Sequence, residues 1–581
     1  MPKRWVLPEE RRMDVAALAS AAGGPDLHPI GLALFARRGL TTQEEIDLFL
    51  SPEWEGGVHD PALFRGMPAA VERIFFALEN GEQITVHGDY DADGVTGSAV
   101  LITTLRELAS RMKSSAKIDA YIPHRDKEGY GLHPATIDVL SARGTNLIIT
   151  VDCGIACVDE ITYAKEKQID TIVVDHHQFG ETLPDGILIH PKLPGESYPF
   201  PHLAAVGVAW KLACGLLGEA KKRELGIPDG WEKWLLDLVA IATVTDMVPL
   251  VGENRVLERY GLMVMNKTKR PGMKALLNVA GMEGKNIDSE TIGFTIGPRI
   301  NAAGRMDHAL LALNLLLSEN DEEATRLAED LEACNRARQK MTKQMMDQAA
   351  EQIEATEDDS IVVLHAENWS PSLVGLVAGR YLDQTGKPTI AIGRHEDRWV
   401  GSGRSFAAYD ITEAVKRAGE GWLTHAGGHV QACGFSFSKE GALEIFIEAL
   451  RKDAIERLKD ADLSPILPVD AEITLEDVDW RLIETVQRFE PFGEGNRRPV
   501  FVSRGLEVAS IALMGSTQNH VRAILRSPGG RMQPFIGFKF GPRIEEFQLG
   551  SKIDVAYDVG INEWNGRKDI QCKLVDVKSA S

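Results

Sequence analysis

The sequence predicts an α/β protein: a doubly wound parallel sheet, a long connecting helix, a second and smaller α/β domain, and a C-terminal β-barrel of OB-fold type. Three observations predict it. Between residue 80 and about 305, the short apolar runs 84–86, 118–122, 147–151, 171–174 and 187–189 alternate with helical patterns, as βαβ crossovers in a parallel sheet require. From about 308 to 356, Leu327, Leu331, Cys334, Met341, Met345, Ala349 and Ile353 fall near multiples of 3.6, so one long helix should present one apolar stripe, packed between lobes as a strut. Past the proline-bounded segment SPILPVD (464–470), short strands and turns such as VRAILRS, PFIGFKF and KIDVAYDVG read as a small barrel.

At 581 residues the chain is too long for one core. Residues 1–78 carry helical patterns such as TTQEEIDLFLSP, where Thr41 or Thr42 caps and Ile46, Phe49 and Leu50 share a face. The main α/β domain is expected over 79–307, the connecting helix over 308–358, the second α/β domain over 359–463 with strands IVVLHA, PTIAIG and CGFSFS, and the barrel over 464–581. Composition is that of an ordinary globular protein, 44% hydrophobic and 26% charged. No apolar run approaches the roughly 18 residues of a membrane span, and MPKRWVLPEERRM lacks a signal-peptide core, so a cytoplasmic protein is expected. Six scattered cysteines do not make a disulfide framework; Cys153 and Cys157 lack the two further ligands of a zinc site and read as buried free thiols. A net charge of −21 argues against a simple basic nucleic-acid binder. The tension eases if Arg125, Lys127, Arg299, Arg305, Arg380 and Arg404 line a local basic channel leading to an acidic centre.

That centre is written in VHGDYDADGVTG (86–97), which sets Asp89, Asp91 and Asp93 in a glycine-bounded turn after an apolar run. Three carboxylates this close repel one another unless a cation holds them, and hard divalent cations prefer such oxygen ligands. TVDCG places Asp152 at a second strand end, IVVDHH places Asp175, His176 and His177 at a third, and ATVTDMVPL places Asp246 after another small, apolar segment read as a strand. Strand ends of a parallel sheet can converge on one crevice, and two metal ions about 3.5 to 4 Å apart need roughly this many ligands. Helix capping accounts for any one aspartate, though not for the adjacent histidines.

In that order HGDYDADG, the Asp152 strand end, DHH and the Asp246 strand end resemble the four motifs of the DHH phosphoesterase superfamily. GPRINAAGRMDHA (297–309), GSGRS (401–405), AGGHVQACG (426–434) and PFGEGNRRPVF (491–501) narrow the resemblance, from about residue 40 onward, to its single-stranded-DNA-specific exonucleases. The resemblance implies DHH, DHHA1 and OB-fold domains and a 5′-to-3′ exodeoxyribonuclease of DNA repair and recombination that uses two Mn²⁺ or Mg²⁺ ions. It gives Asp152 the bridging place and makes Asp91, Asp93, His176 and Asp246 ligands, with His87 and Asp89 as further candidates. His177 is assigned to the substrate phosphate rather than to metal, and Arg125 or His133 to the scissile phosphate. Ser402 and Arg404 of GSGRS, with Arg305, Arg299 and His429, are the substrate-binding candidates; Ser370 and Ser372 stand where the family pattern has His and Gly.

Single-stranded DNA is the expected partner of a monomer, with a single-stranded-DNA-binding protein and a helicase as helpers. Among the barrel aromatics Phe492, Phe501, Phe538, Tyr557 and Trp564, each is core or a base-stacking surface. Two rival readings stay open: a DHH-family hydrolase of short oligonucleotides, and a non-catalytic DNA-binding scaffold. The full ligand set speaks against the scaffold, and the barrel against the small-substrate enzyme.

Overall fold

The computed structural model describes residues 3–7, 27–353, 360–438, 441–459, 464–564 and 566–580. The chain forms two compact units, one of Asp60–Val248 with Tyr260–Ser464, the other of Pro2–His59 with Pro249–Arg259 and Pro465–Ser581.

In the first unit helix α1 (Met67–Asn80) leads into strand β1 (Gln83–Gly88), helix α2 (Ala92–Met112), and strands β2 (Lys117–Tyr121), β3 (Thr145–Val151), β4 (Asp170–Val174) and β5 (Ile187–Ile189). The strands lie in the order β2-β1-β3-β4-β5, every pair parallel. Ile84, Val86, Leu147 to Ile149, Val151 and Ile172 to Val174 are wholly buried, which is why these strands read as unbroken apolar runs rather than alternating ones. From β1 the chain moves out to β2 and then crosses to the opposite side of β1 at β3. The sheet therefore reverses between β1 and β3, and the crevice beyond their carboxyl ends is where open α/β sheets bind ligands.

Helices α3 (Ala205–Lys222) and α4 (Leu236–Thr245) follow. Asp246 does not end a strand, as the sequence suggested; it is the C-cap of α4. The run LDLVAIAT is buried on every side, and a short segment apolar all round carries no period by which helix and strand can be told apart. The single connecting helix expected over 308–358 is also corrected. After α5 (Gly297–Met306) come two helices, α6 (Leu310–Leu317) and α7 (Asp321–Ile353), because Asn320 Oδ1 accepts the Glu323 N–H at 2.8 Å and starts a new helix; residues 354–358 lie outside the described ones. Leu327, Leu331, Met345 and Ala349 of the stripe are buried, but Met341 is 40% exposed, and Asn335 and Thr342 are buried instead. Met345 and Ala349 pack on Leu364, Trp369 and Val374 of the second lobe, as a strut would.

That lobe holds β6 (Val362–His365), α8 (Pro371–Thr385), β7 (Thr389–His395), β8 (Arg398–Arg404), β9 (His425–His429) and β10 (Ala432–Phe437), in the order β9-β10-β8-β7-β6. GSGRS is thus largely strand β8, and AGGHVQACG is the β9–β10 hairpin.

The second unit is built on β11 (Phe501–Met514), β12 (His520–Arg526), β13 (Met532–Gly537), β14 (Lys552–Trp564) and β15 (Arg567–Ser579). They pair as β11-β12-β13-β15-β14, and β14 returns to β11, closing a five-stranded barrel. Phe501 and Tyr557 are core, Phe538 is 54% exposed, and the Trp564 side chain lies outside the described residues. The N-terminal segment is not separate. Thr42 caps helix Gln43–Leu50 in a full capping box with Glu45, and Phe49 from that helix meets Phe35 and Phe489 in the barrel unit's core. The barrel cannot be cut away at 464–470 without uncovering these side chains.

Arg255 ties three chain segments of this unit together. Its buried guanidinium donates to the carbonyls of Phe49 (2.9 Å), Phe489 (3.1 Å), Pro491 (3.3 Å) and Glu490 (2.8 Å), and lies 3.8 Å from the Phe49 ring centroid. Deleting it strands buried acceptors, each costing about 1–3 kcal/mol. Arg255→Ala should destabilise the barrel unit by about 3 kcal/mol or more in denaturant melts, and Arg255→Lys should recover less than half, because an ammonium cannot reproduce the planar fork.

Candidate metal centre

The crevice beyond β1 and β3 gathers most of the residues the sequence singled out. Asp89 follows β1, and its N–H donates to Val151 O at 3.2 Å. Asp91 is the N-cap of α2, accepting from the N–H groups of Asp93 (2.9 Å) and Gly94 (3.4 Å). Asp93 sits in the first turn, and its carboxylate accepts from Ala205 N (2.8 Å) and Val206 N (2.7 Å) at the start of α3, where free N–H groups favour an anion. The turn is tight enough that a Cβ on Gly94 would lie 2.3 Å from Asp89 N. Asp152 follows β3 in the left-handed region, φ 63°, a conformation Asp tolerates better than most residues.

Among the described residues, three groupings have ligand atoms within 4.8 Å of one another: Asp152, His176 and His177; Asp93, His176 and Asp246; Asp89, Asp91 and Asp152. Asp152 and His176 each appear in two, in keeping with the shared place the resemblance gives Asp152. His177, assigned away from metal, also falls within reach, while His87 is in none of the three; it is buried beneath the turn with Cys153 Sγ 3.6 Å from Nδ1. His176 Nε2 is 3.4 Å from Asp152, 3.6 Å from Asp246 and 3.8 Å from Asp93, spacings too long for good hydrogen bonds.

Electrostatics explain why such a cluster needs a cation. Burial first, then the neighbouring carboxylates, push Asp89 and Asp152 well up from their ordinary range, Asp93 to about 7 and Asp246 to about 8. Burial lowers His176 to about 3, with the His177 charge adding to it. Burial also opposes charge on His177, but the Asp175 carboxylate 2.9 Å from Nδ1 prevails and lifts it to about 9. Asp89 Oδ1, Asp152 Oδ1, His87 Nε2 and His176 Nε2 are buried and make no hydrogen bond among the described residues. Crowded carboxylate oxygens with neutral imidazole suit Mn²⁺, and the oxygens alone suit Mg²⁺. The residues present fit a pair of divalent cations.

Asp175, named from the sequence as a strand-end residue, has an anchoring part that the sequence does not show, and Tyr130 and Asn301 are further partners it does not single out. Asp175 accepts from the N–H groups of Ile155, His176 and His177 and so fixes the DHH turn. Tyr130 OH donates to Asp152 O at 2.9 Å and is 3.2 Å from His177 Nδ1. Asn301 Oδ1 accepts the Ala92 N–H at 2.8 Å, and a Cβ on Gly304 would meet Tyr90 O at 2.4 Å, so the GPRINAAGR helix α5 seats directly on the acidic turn. Only YGLH and INAAG in the motifs hinted at these.

Of the basic candidates, Arg125 lies over the Tyr90 ring (4.6 Å to its centroid), and Arg404 Nη1 donates to Ser402 Oγ and Gly403 O, each at 2.8 Å. Arg305 Nη1 donates to Ser372 O at 2.6 Å, and Ser372 Oγ returns a bond to Arg305 O at 2.8 Å. Burial lowers Arg305 to about 9, with the charges of Arg125, Arg338 and Arg404 adding to the effect and Asp91 opposing it. Arg125, Arg305 and Arg404 make no carboxylate ion pair among the described residues. Two candidates lie elsewhere: Arg299 pairs with Glu332 at 2.8 Å, and His429 is exposed on the β9–β10 hairpin. His133 is the N-cap residue of helix Pro134–Ala142.

The parallel sheet, its switch-point crevice and the carboxylate–imidazole cluster define a phosphoesterase of the DHH class. The family description "DHH family, N-terminal domain" matches residues 83–243, "DHHA1 domain" 358–456 and "RecJ OB domain" 469–576. The chain belongs to the RecJ family. It is 37% identical over 577 residues to the single-stranded-DNA-specific exonuclease RecJ of Bacillus subtilis, covering 99% of this chain and 70% of that one. It is 31% identical to Escherichia coli RecJ, covering 94% and 95%. The crystal structure of Thermus thermophilus RecJ in complex with Mn²⁺ superposes with a TM-score of 0.82 at 27% identity, covering 100% of this chain and 80% of that one.

The raised carboxylates set a pH test. Asp93 and Asp246 keep protons in the cation-free folded state that the unfolded chain releases near 3.8, so their stabilisation is full below that value and is lost as pH rises through about 7 to 8. In EDTA, Tm should fall between about pH 6 and about pH 8.5, Mn²⁺ should restore it most at the higher pH, and Asp246→Asn should flatten the slope.

Proposed function

We propose that the protein is a metal-dependent exonuclease that degrades single-stranded DNA from its 5′ end, releasing nucleotides by phosphodiester hydrolysis, with a role in DNA repair and recombination. The observation that carries this reading is the placing, on one compact unit, of an acidic centre suited to two cations beside Arg125, Arg305 and Arg404, half-buried arginines that make no carboxylate ion pair among the described residues. Such arginines require an anion, and a nucleic-acid phosphate is the matching one.

Asp91, Asp93, Asp152, His176 and Asp246 would hold the cations, with Asp89 beside them. Bound there, divalent ions supply a nucleophile at neutral pH and neutralise charge on the phosphoryl oxygens. The chain's own groups do the rest. Asp175 and Tyr130 orient His177, whose ring faces the cluster and offers an N–H to a phosphate oxygen or to the departing 3′ oxygen. Arg125, braced on Tyr90, neutralises the scissile phosphate, and Arg305, Arg404 and Ser402 seat the 5′-terminal phosphate. The barrel offers a second grip on single-stranded nucleic acid, as OB-type surfaces do.

Asp152→Asn keeps a residue that accepts the left-handed backbone but removes the shared charge, and should lower turnover by roughly 10³-fold or more with Tm in EDTA little changed. With 5′- and 3′-labelled single strands, the parent protein should release the 5′ label first and spare blunt duplex. Release of the 3′ label first would overturn the polarity.

Arg404→Ala should raise KM for 5′-phosphorylated strands about tenfold while changing kcat on saturating DNA far less. The ratio of phosphorylated to hydroxyl-ended substrate use should fall with it, and an unchanged ratio would place the terminal seat elsewhere.

A further inference from the structure

A second cavity lies behind the metal centre, in the same unit. Its volume is about 690 Å³, within the range of small-ligand sites. Its walls come from the far ends of helices the centre depends on: Arg106 and Ser110 from the last turns of α2, whose first turn carries Asp91 and Asp93, and Asp237 from the start of α4, whose C-cap is Asp246. At 1.5 Å per residue the cavity stands about 14 Å along α4 and about 20 Å along α2 from those carboxylates.

We propose that this cavity binds a mononucleotide, the class of product the reaction releases; the choice of ligand rests on the function proposed above. Trp231 and Trp234 line it, and Trp234 is 48% exposed, an indole face open to a nucleobase. Lys269 Nζ lies over the Trp234 ring, 5.2 Å from its centroid, so a base that takes this indole face moves the ammonium aside toward its own phosphate. Arg106 is exposed at the rim and makes no ion pair among the described residues, leaving its fork for the same phosphate.

The acidic residues of the wall leave these cations available. Asp237 is drawn to Arg270, 3.2 Å away, and to Thr268, and Glu107 is drawn to Arg111 at 2.8 Å. Glu319 is the third acidic residue of the lining. One base, one sugar and one phosphate match the two indoles, the Ser110 hydroxyl, and two cations that make no ion pair among the described residues.

The test is equilibrium dialysis of labelled dAMP against the full-length protein in EDTA. Binding near one equivalent is expected, retained in Asp152→Asn and weakened at least tenfold in both Trp234→Ala and Arg106→Glu. Exonuclease activity at low product should stay at the parental level in those two variants, and their Tm should match the parent's. No binding at millimolar dAMP, parental binding in either cavity variant, or loss of binding in Asp152→Asn alone would overturn the proposal, the last by locating the nucleotide in the metal crevice. Failure of the exonuclease reading would instead show as absent release of mononucleotide from single strands, with the dialysis still readable.

Discussion

Mutual repulsion among the aspartates at the mouth of β1 and β3 is the constraint on which the site depends. Backbone N–H groups answer it one carboxylate at a time: the α2 terminus for Asp91, the α3 terminus for Asp93, the DHH turn for Asp175. These anchored groups form a frame. Asp152 and His176 keep buried atoms without hydrogen-bond partners inside it, so the charge that completes the cluster has to come from a cation. The order of the strands, the start of two helices and the end of a third are all arranged around that need.

The same reasoning separates the two kinds of arginine in the chain. Arg299 has Glu332 and is structural, whereas Arg305 is half-buried with only a carbonyl to receive it. Its reciprocal bonds with Ser372 join α5 to the second lobe, so this serine holds the arginine's main chain and receives its side chain. A net charge of −21 and a phosphate-binding role are compatible because the positive charge is concentrated at this junction.

Much of this was legible in the sequence. The five parallel strands are close to the apolar runs, since strands buried on both faces announce themselves by composition. The acidic turn, Asp152 and the histidine pair announced themselves by charge crowding. Asp246 is legible in the sequence but its helix is not, because a segment buried on every side from Leu236 to Thr243 has no period to read. The break at Ser318 to Asn320 does not show in the apolar stripe, because that stripe, Leu327 to Ile353, lies wholly beyond it; the polar run SENDEE (318–323) is the signal that marks it. Tyr130, Asn301 and the N–H groups of α3 were invisible, since each acts through a partner far away in sequence that only the folded chain supplies.

The barrel unit's dispersed make-up bears on how the chain is born. Phe35 and Phe49 are covered by Phe489 and the barrel strands, roughly 450 residues later. At about 5–20 residues per second on the ribosome, those rings wait roughly 20 to 90 s for their cover, long after the first unit's sheet has emerged. The nascent protein therefore spends the later part of its synthesis with the metal-site lobe able to close and an N-terminal apolar handle exposed, the kind of surface to which holding chaperones attach.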